Sequence, residues 1–179
     1  MEVRILEEHG LQNALLGLSL SYNGDPEKMM KVALGLAHQQ GGHNKFLESI
    51  MLWLDITAPR YWWQQFDTYR VGVTKQSEST MHTMTQRLLT QEDFEHPILE
   101  SYLDYLNRLI EQKDWMLVKI GLPEAFKQRR IVAMNYKALQ WMILQRKNHR
   151  LPEWQEMIGV ILGQVEHPEF LVKEAQRSE

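Results

Sequence analysis

The chain has 179 residues, a formal net charge of -3 and no cysteine. This length predicts one domain, residues 1–179, with room for a hydrophobic core, and the lack of cysteine excludes disulfides, thiolate zinc sites and a cysteine nucleophile. The charge balance gives no broad basic field for duplex nucleic acid, and no apolar run reaches membrane-spanning length, so a cytoplasmic protein is expected.

The first elements along the chain are a short strand at 3–6 and an apolar helix or turn at 11–20. Asp25 and Pro26 then begin a helix, because proline fits a first helical turn. Its predicted end is Gln39-Gln40-Gly41-Gly42, where the glycines suit a left-handed cap.

A compact polar turn at 43–48 leads into a strand at 50–57. Apolar residues alternate along this strand until Asp55 and Thr57, which predicts one buried side and one side that becomes polar. Ala58-Pro59 is predicted to break the strand.

The stretch after this break is both aromatic and polar. Trp62, Phe66 and Tyr69 have the i, i+4, i+7 spacing of one helix face, with Arg70 at the helix end. Residues 72–80 are predicted to form a donor-rich turn, whose amides and hydroxyls, with the arginine, suit a phosphate or a nucleotide. The alternative is an ordinary helix end followed by a solvated loop.

The rest of the chain is predicted to be mainly helical. In order, the predicted elements are a loop or short helix at 84–97, helices at 99–112 and 115–120, a strand at 129–134, a helix beginning at Asn135 and a last amphipathic helix at 152–162. After Pro168 the chain ends in a charged tail.

Arg146 closes the apolar stripe of the helix that begins at Asn135. An arginine in such a position either extends to water, the commoner outcome, or meets an anion. Lys147, His149 and Arg150 follow it and form a basic corner that suits phosphate.

Motifs of the well-known nucleotide sites and nucleophiles are absent, since the chain contains no GxxxxGK[ST], GxGxxG or GxSxG. His38 and His43 do not have the spacing of metal ligands on one helix face, so no metal site is predicted. Residue spacing alone therefore indicates only a pocket for an anion or a nucleotide.

Several separations nevertheless agree with one known family. The residues concerned are His43, Phe46, Glu48, Ala58, Pro59, Gln65, Arg70, Lys119, Leu122, Pro123, Asn135, Arg146 and Glu156. Their order resembles the flavin-dependent thymidylate synthases, the ThyX family, in which a glutamine precedes the RHRxxSxxxxSxR signature and R-x-x-L-P, an asparagine and an arginine follow it.

This resemblance implies an α+β fold, a ThyX-like twisted β-sheet flanked by helices, assembled as a homotetramer whose pockets are shared between subunits. It implies methylation of dUMP with FAD, NADPH and methylene-tetrahydrofolate. The implied nucleotide-binding residues are Gln65, Arg70, Ser77, Ser79, Lys119 and Arg146. The implied cofactor-binding residues are His43, Arg70, Gln76, Asn135 and Lys137.

The chain departs from the family signature at several positions. Thr68 and Tyr69 replace the first Arg and the His, Val73 replaces the first Ser, Met81 replaces the last Arg, and Lys119 replaces another arginine on the substrate side. Each lost charge-assisted hydrogen bond costs about 1.5–3 kcal/mol. These losses should abolish the usual chemistry unless Lys75, Arg60 or Arg129 substitutes.

Three functions stay open on these grounds. The first is a divergent thymidylate synthase. The second is a non-catalytic protein that sequesters a nucleotide, for example a host immune signalling nucleotide, and the missing catalytic arginines motivate it. Tyr61-Trp62-Trp63 and Thr80-Met81-His82 resemble segments of phage-borne relatives, which implies a phage protein in the host cytoplasm. The third is a structural or assembly protein with a vestigial pocket.

Overall fold

A computed structural model of the protein describes residues 1–39 and 41–173. The strands are β1 (Glu2–His9), β2 (Met51–Pro59), β3 (Val73–Ser77) and β4 (Lys127–Asn135). The α-helices are α1 (Leu11–Tyr22), α2 (Met29–Ala37), α3 (Arg60–Phe66), α4 (Thr80–Thr83), α5 (Glu100–Glu111), α6 (Trp115–Gly121), α7 (Tyr136–Arg146) and α8 (Pro152–Gln164). Short 3-10 helices lie at Pro26–Lys28, Lys45–Ser49, Gln91–Asp93 and Pro168–Phe170.

The strands form one antiparallel sheet in the order β1-β2-β4-β3. Leu52, Leu54 and Ile56 on one side of β2 are fully buried, which confirms the alternation predicted for this strand. The mixture of helices and antiparallel sheet confirms the predicted α+β class. None of the helices in the described residues is long and apolar enough to cross a membrane.

Two hydrophobic clusters stabilise the described chain. The main cluster lies between the sheet and the helices α1, α2, α3, α7 and α8, and contains the fully buried rings of Trp62, Phe66 and Trp154. The smaller cluster joins α5 and α6 to the segment before them and to the start of β4, with Leu106 and Val118 at its centre. The functional residues discussed below lie mainly around α3, β3, β4 and α7.

The structure contradicts the donor-rich turn predicted for residues 72–80. Residues Val73 to Ser77 form strand β3, which pairs with β4 from Val73↔Met134 to Ser77↔Arg130, and Thr80 begins α4. As an edge strand, β3 leaves Thr74 and Gln76 exposed, so the polar composition that suggested a turn is compatible with a strand.

Three predicted boundaries are also wrong. Strand β2 continues through Pro59, which pairs with Lys127, because proline at the last position of a strand sacrifices only a terminal donor. Helix α3 ends at Phe66, so Tyr69 lies beyond it. Helix α2 ends at Ala37, before the predicted cap at residues 39–42. Gln40 of that predicted cap and the predicted charged tail after residue 173 lie outside the described residues.

Candidate functional site

A cleft of about 600 Å³ lies where β4 passes into α7. Its lining includes Gly41, Gly42, Asn44, Glu48, Val71, Gly72, Asn135, Lys137, Gln140 and Trp141. The cleft thus brings together the turn after α2, the loop before β3 and the first turns of α7. Its volume falls within the roughly 300–1,000 Å³ of small-molecule sites.

Asn135 shapes this cleft through its position at the start of α7. Its side-chain oxygen accepts a hydrogen bond from the backbone N–H of Ala138 at 2.8 Å, as an N-cap residue should. Its own backbone N–H donates to the carbonyl of Gly72 at 3.0 Å. Gly72 has a φ of +69°, and a Cβ there would lie 2.6 Å from Nδ2 of Asn135, so glycine is required for the approach.

Lys137 and Trp141 face the cleft from successive turns of α7. The ammonium of Lys137 lies 2.6 Å from Oε1 of Glu48, which ties α7 to the 3-10 helix after the glycine turn. The indole of Trp141 is 52% exposed although it belongs to a helix that packs on the core. Trp141 was not predicted from the sequence, although its position off the buried stripe of Leu139 and Met142 was the available signal.

A second group of residues, the Arg146 cluster (Gln65, Tyr69, Arg146 and Trp154), lies around the end of α7. Nε of Arg146 donates to the hydroxyl of Tyr69 at 2.8 Å, and Nη1 donates to Oε1 of Gln65 at 3.3 Å. The same amide oxygen of Gln65 accepts a hydrogen bond from the indole of Trp154 at 3.1 Å. The guanidinium carbon of Arg146 lies 4.9 Å from the Trp154 ring centroid, within cation–π range.

Arg146 is half-buried and forms no ion pair with any residue that the structure describes. Local positive charge is apparent at His149, whose pKa is lowered by burial and also by the charges of Arg146 and Arg150. The arginine therefore does not extend freely into water, and it meets no carboxylate of residues 1–39 and 41–173. It is held by aromatic rings and neutral acceptors.

A third location holds Lys119. With Arg60, Gln64, Asp67, Thr80 and Arg130 it lines a cavity of about 320 Å³ between α3, α6 and β4. Of the other cations nominated as substitutes, Arg129 is paired with Asp55 at 2.7 Å and Lys75 with Asp67 at 3.1 Å.

The predicted site residues are thus distributed over separate parts of one chain. Asn135 and Lys137 share the cleft, Gln65 and Arg146 are hydrogen-bonded, and Lys119 lies in the third location. The side chain of His43 is exposed between Gly42 and Asn44 of the cleft, and the remaining four residues, Gln76, Ser77, Ser79 and Arg70, are exposed.

In the sequence, Arg70 lies between a residue of the Arg146 cluster and a residue of the cleft. Its neighbour Tyr69 belongs to the Arg146 cluster, and its other neighbour Val71 lines the cleft. Because consecutive Cα atoms are about 3.8 Å apart, the cleft and the cluster adjoin each other. Within the described residues, no group of three or more His, Asp or Glu side chains could hold a metal ion.

Comparison with known proteins gives a family and a fold. The sequence model described as "Thymidylate synthase complementing protein" (Thy1) matches residues 18–168. A comparison with curated protein sequences finds no significant match.

Among solved structures, flavin-dependent thymidylate synthase ThyX from Helicobacter pylori complexed with FAD and dUMP has a TM-score of 0.82 and 17% identity, over 97% of this chain and 99% of that one. A second structure of ThyX from Helicobacter pylori with FAD and dUMP has a TM-score of 0.78 and 18% identity, over 97% and 98% of the two chains. At these identities the likeness concerns the fold. The family match covers most of the sequence, including the cleft and the Arg146 cluster, and it confirms the resemblance seen in the order of motifs: this chain belongs to the Thymidylate synthase complementing protein family, Thy1.

Proposed function

We propose that this protein binds a nucleotide and a flavin side by side, as a divergent relative of the flavin-dependent thymidylate synthases. The observation that carries the proposal is the half-buried guanidinium of Arg146, which has no acidic partner in the described residues and adjoins the cleft. The family match and the fold shared with ThyX support the same conclusion.

The contacts of Arg146 leave it free to bind a ligand. A guanidinium has five N–H donors, and the hydroxyl of Tyr69 and the amide oxygen of Gln65 accept from only two of its nitrogens. The contact between the guanidinium and the Trp154 ring, like the two hydrogen bonds, restrains the position of the group. A half-buried cation of this kind is stabilised by a ligand with negative charge or strong acceptor atoms.

The cleft suits the flavin part of FAD, the cofactor of both Helicobacter pylori structures. The side-chain amide of Asn135 and the ammonium of Lys137 are donors for ring carbonyls or phosphate oxygens, and Trp141 provides a flat apolar surface. The glycines at 41, 42 and 72 leave the backbone open to close approach. When bound, FAD would supply redox chemistry that no side chain of this protein can perform.

Assembly as a homotetramer is part of the proposal. In one chain, Ser77, Ser79 and Lys119 lie apart from the residues of the cleft, so sharing of pockets between subunits would unite the predicted set. Large apolar side chains are also exposed at Leu99, just before α5, at Tyr105 in α5 and at Ile120 in α6, and exposed apolar surface is available for association. Light scattering on the purified protein measures the number of chains directly.

Sequestration without catalysis is the second candidate function. Two replaced positions of the family signature favour it. Tyr69 stands where the family carries histidine, and its hydroxyl accepts a hydrogen bond from Nε of Arg146. Met81 stands where the family carries arginine, and it is exposed and uncharged. A phage protein that holds a host nucleotide would need the pocket but not the full set of catalytic arginines.

Calorimetry and a turnover assay test both candidates. Wild-type protein should bind dUMP in the presence of FAD, and Arg146→Met, which keeps much of the packing but loses the donors, should weaken binding by about one to two decades. Arg108→Met, which removes an exposed arginine on α5 outside the cleft and the Arg146 cluster, is the control.

Formation of dTMP with NADPH and methylene-tetrahydrofolate would establish the enzyme, and binding without turnover would favour sequestration. Failure of the wild-type protein to bind dUMP or any of a panel of mono-, di- and cyclic nucleotides would refute the proposed function.

A further inference from the structure

We infer that Lys75 is a positioning residue that couples the two proposed sites, because its ammonium holds the α3–β3 loop (residues 67–72), which contributes to both of them. This inference rests on the proposed binding of a flavin and a nucleotide. It gives Lys75 a role inside the protein, in place of the role of substitute ligand that the sequence suggested.

The α3–β3 loop extends from one proposed site to the other. The hydroxyl of Tyr69 accepts the hydrogen bond from Nε of Arg146 at 2.8 Å. Two positions later Val71 lines the cleft, and the carbonyl of Gly72 accepts from the backbone N–H of Asn135 at 3.0 Å. A displacement of the loop backbone at Tyr69 would therefore move a partner of Arg146 and a wall of the cleft together.

Lys75 reaches this loop from the inward side of β3. It pairs in register with Val132, which is fully buried, and residues paired in this way project from the same side of a sheet. The side chain of Lys75 is only 18% exposed. Its Nζ donates to the backbone carbonyl of Tyr69 at 3.2 Å and lies 3.1 Å from Oδ1 of Asp67. The same ammonium lies 5.4 Å from the ring centroid of Phe66, within cation–π range, so protein groups engage it on several sides.

Asp67 gives Lys75 a fixed point of attachment. Nη1 of Arg130 lies 2.8 Å from one oxygen of Asp67 and 3.0 Å from the other, and the guanidinium carbon lies 4.3 Å from the ring centroid of the buried Trp63. Burial acts to raise the pKa of Asp67, but the hydrogen bonds from Arg130 and Lys75 outweigh it and hold the pKa below its usual value. The carboxylate is therefore charged at neutral pH and tied to the core, and Lys75 connects it to the loop.

These contacts explain how binding at one site would affect the other. A ligand on Arg146 restrains Tyr69, and Lys75 ties the backbone of Tyr69 to the sheet, so the loop that the second ligand needs is already ordered. The resulting coupling is the same for either order of binding. A lysine on the inward side of an edge strand also discourages pairing with other chains, but that structural role alone would give no coupling between ligands.

Calorimetric titration of FAD in the absence and in the presence of saturating dUMP measures the coupling as the ratio of the two dissociation constants. With wild-type protein, dUMP should tighten FAD binding. Lys75→Met, which keeps the apolar part of the side chain but loses its donors, should reduce the ratio by about 2- to 30-fold and diminish the dUMP-induced shift of the flavin bands. Asp67→Asn, which removes the charge that anchors Lys75, should change both readouts in the same direction.

Arg4→Met is the matched control. Asp55, like Asp67, is shared by two cations, and this variant removes one of them, at 2.9 Å, from the outer side of the sheet. Because β1 and β3 are the opposite edges of the sheet, Arg4 is remote from the α3–β3 loop. Arg4→Met should leave the ratio and the spectral shift at their wild-type values.

The outcomes separate this inference from the proposed function. If the wild-type protein binds both ligands without coupling, if Lys75→Met or Asp67→Asn folds and keeps the wild-type ratio, or if Arg4→Met reduces it, Lys75 does not couple the sites, while nucleotide and flavin binding stand. If the wild-type protein binds neither ligand, the proposed function and the inference fail together. Circular dichroism identifies a variant that does not fold, and the other of the two then decides.

Discussion

Tryptophan is used in two different ways in this protein. Trp62, Trp63 and Trp154 are buried in the main hydrophobic cluster, where their rings contact one another or Phe66. Trp141 is half exposed in the cleft beside Lys137. Buried tryptophans therefore fill the core, whereas Trp141 gives the cleft an aromatic surface.

The exposed indole of Trp141 gives a prediction at the residue scale. Trp141→Ala should weaken FAD binding by about tenfold or more, because stacking of an aromatic side chain on a heterocyclic ring is worth about 1–3 kcal/mol. Trp115→Ala removes another half-exposed indole, outside the cleft, and should leave the affinity unchanged. Equal FAD affinities in the two variants would show that the ring does not lie on Trp141.

At the scale of elements, the sites depend on how loops meet the ends of strands. The loop before β3 approaches the β4–α7 junction closely enough for the carbonyl of Gly72 to accept from Asn135. This close approach depends on Gly72 and its positive φ.

Gly72→Ala should lower the free energy of unfolding by about 1 kcal/mol or more, since it adds a strained φ and a contact with the side chain of Asn135. Gly17→Ala is the matched control. It lies in α1 with open space around it, and the change should stabilise the protein by up to about 1 kcal/mol. Chemical denaturation measures both; a Gly72→Ala variant as stable as Gly17→Ala would contradict the described loop geometry.

Asp55 holds the outer side of the sheet together across three strands. Its carboxylate accepts hydrogen bonds from Arg129 on β4 at 2.7 Å and 2.8 Å and from Arg4 on β1 at 2.9 Å. The hydrogen bond from Arg129 is the largest cause of the lowered pKa of Asp55; burial opposes it, and Arg4 adds to the lowering.

A lowered folded-state pKa means that Asp55 stabilises the fold above its ordinary pKa of 3.8 and that this contribution is lost as the pH falls through the lower folded value. Asp55→Asn should therefore melt at a lower temperature than wild type at pH 7, and the difference should shrink below about pH 3.8. Asp104→Asn, on the exposed side of α5, should show no such dependence. A difference between Asp55→Asn and wild type that stays constant down to pH 2 would contradict the role of Asp55.

For the whole molecule, apolar periodicity predicted the buried side of β2 and the main helices. The α+β class was predicted from the resemblance to the ThyX family. The prediction from composition failed at β3, since an edge strand with exposed Thr74 and Gln76 has the composition of a turn. The pairing of Gln65 with Arg146 agrees with the motif order. Arg60, Lys75 and Arg129 could be nominated from the sequence as substitute cations, but the ion pairs of Arg129 with Asp55 and of Lys75 with Asp67 could not be predicted from it.

The proposed function requires adjoining sites for a flavin and a nucleotide in the cleft and the Arg146 cluster. Its most direct test is the visible absorbance spectrum of protein that has been incubated with FAD and freed of unbound FAD by gel filtration, recorded before and after addition of dUMP. We predict that the protein retains flavin, that dUMP shifts the flavin bands, and that Arg146→Met abolishes the shift. Colourless protein, or flavin bands that do not respond to dUMP, would contradict the claim.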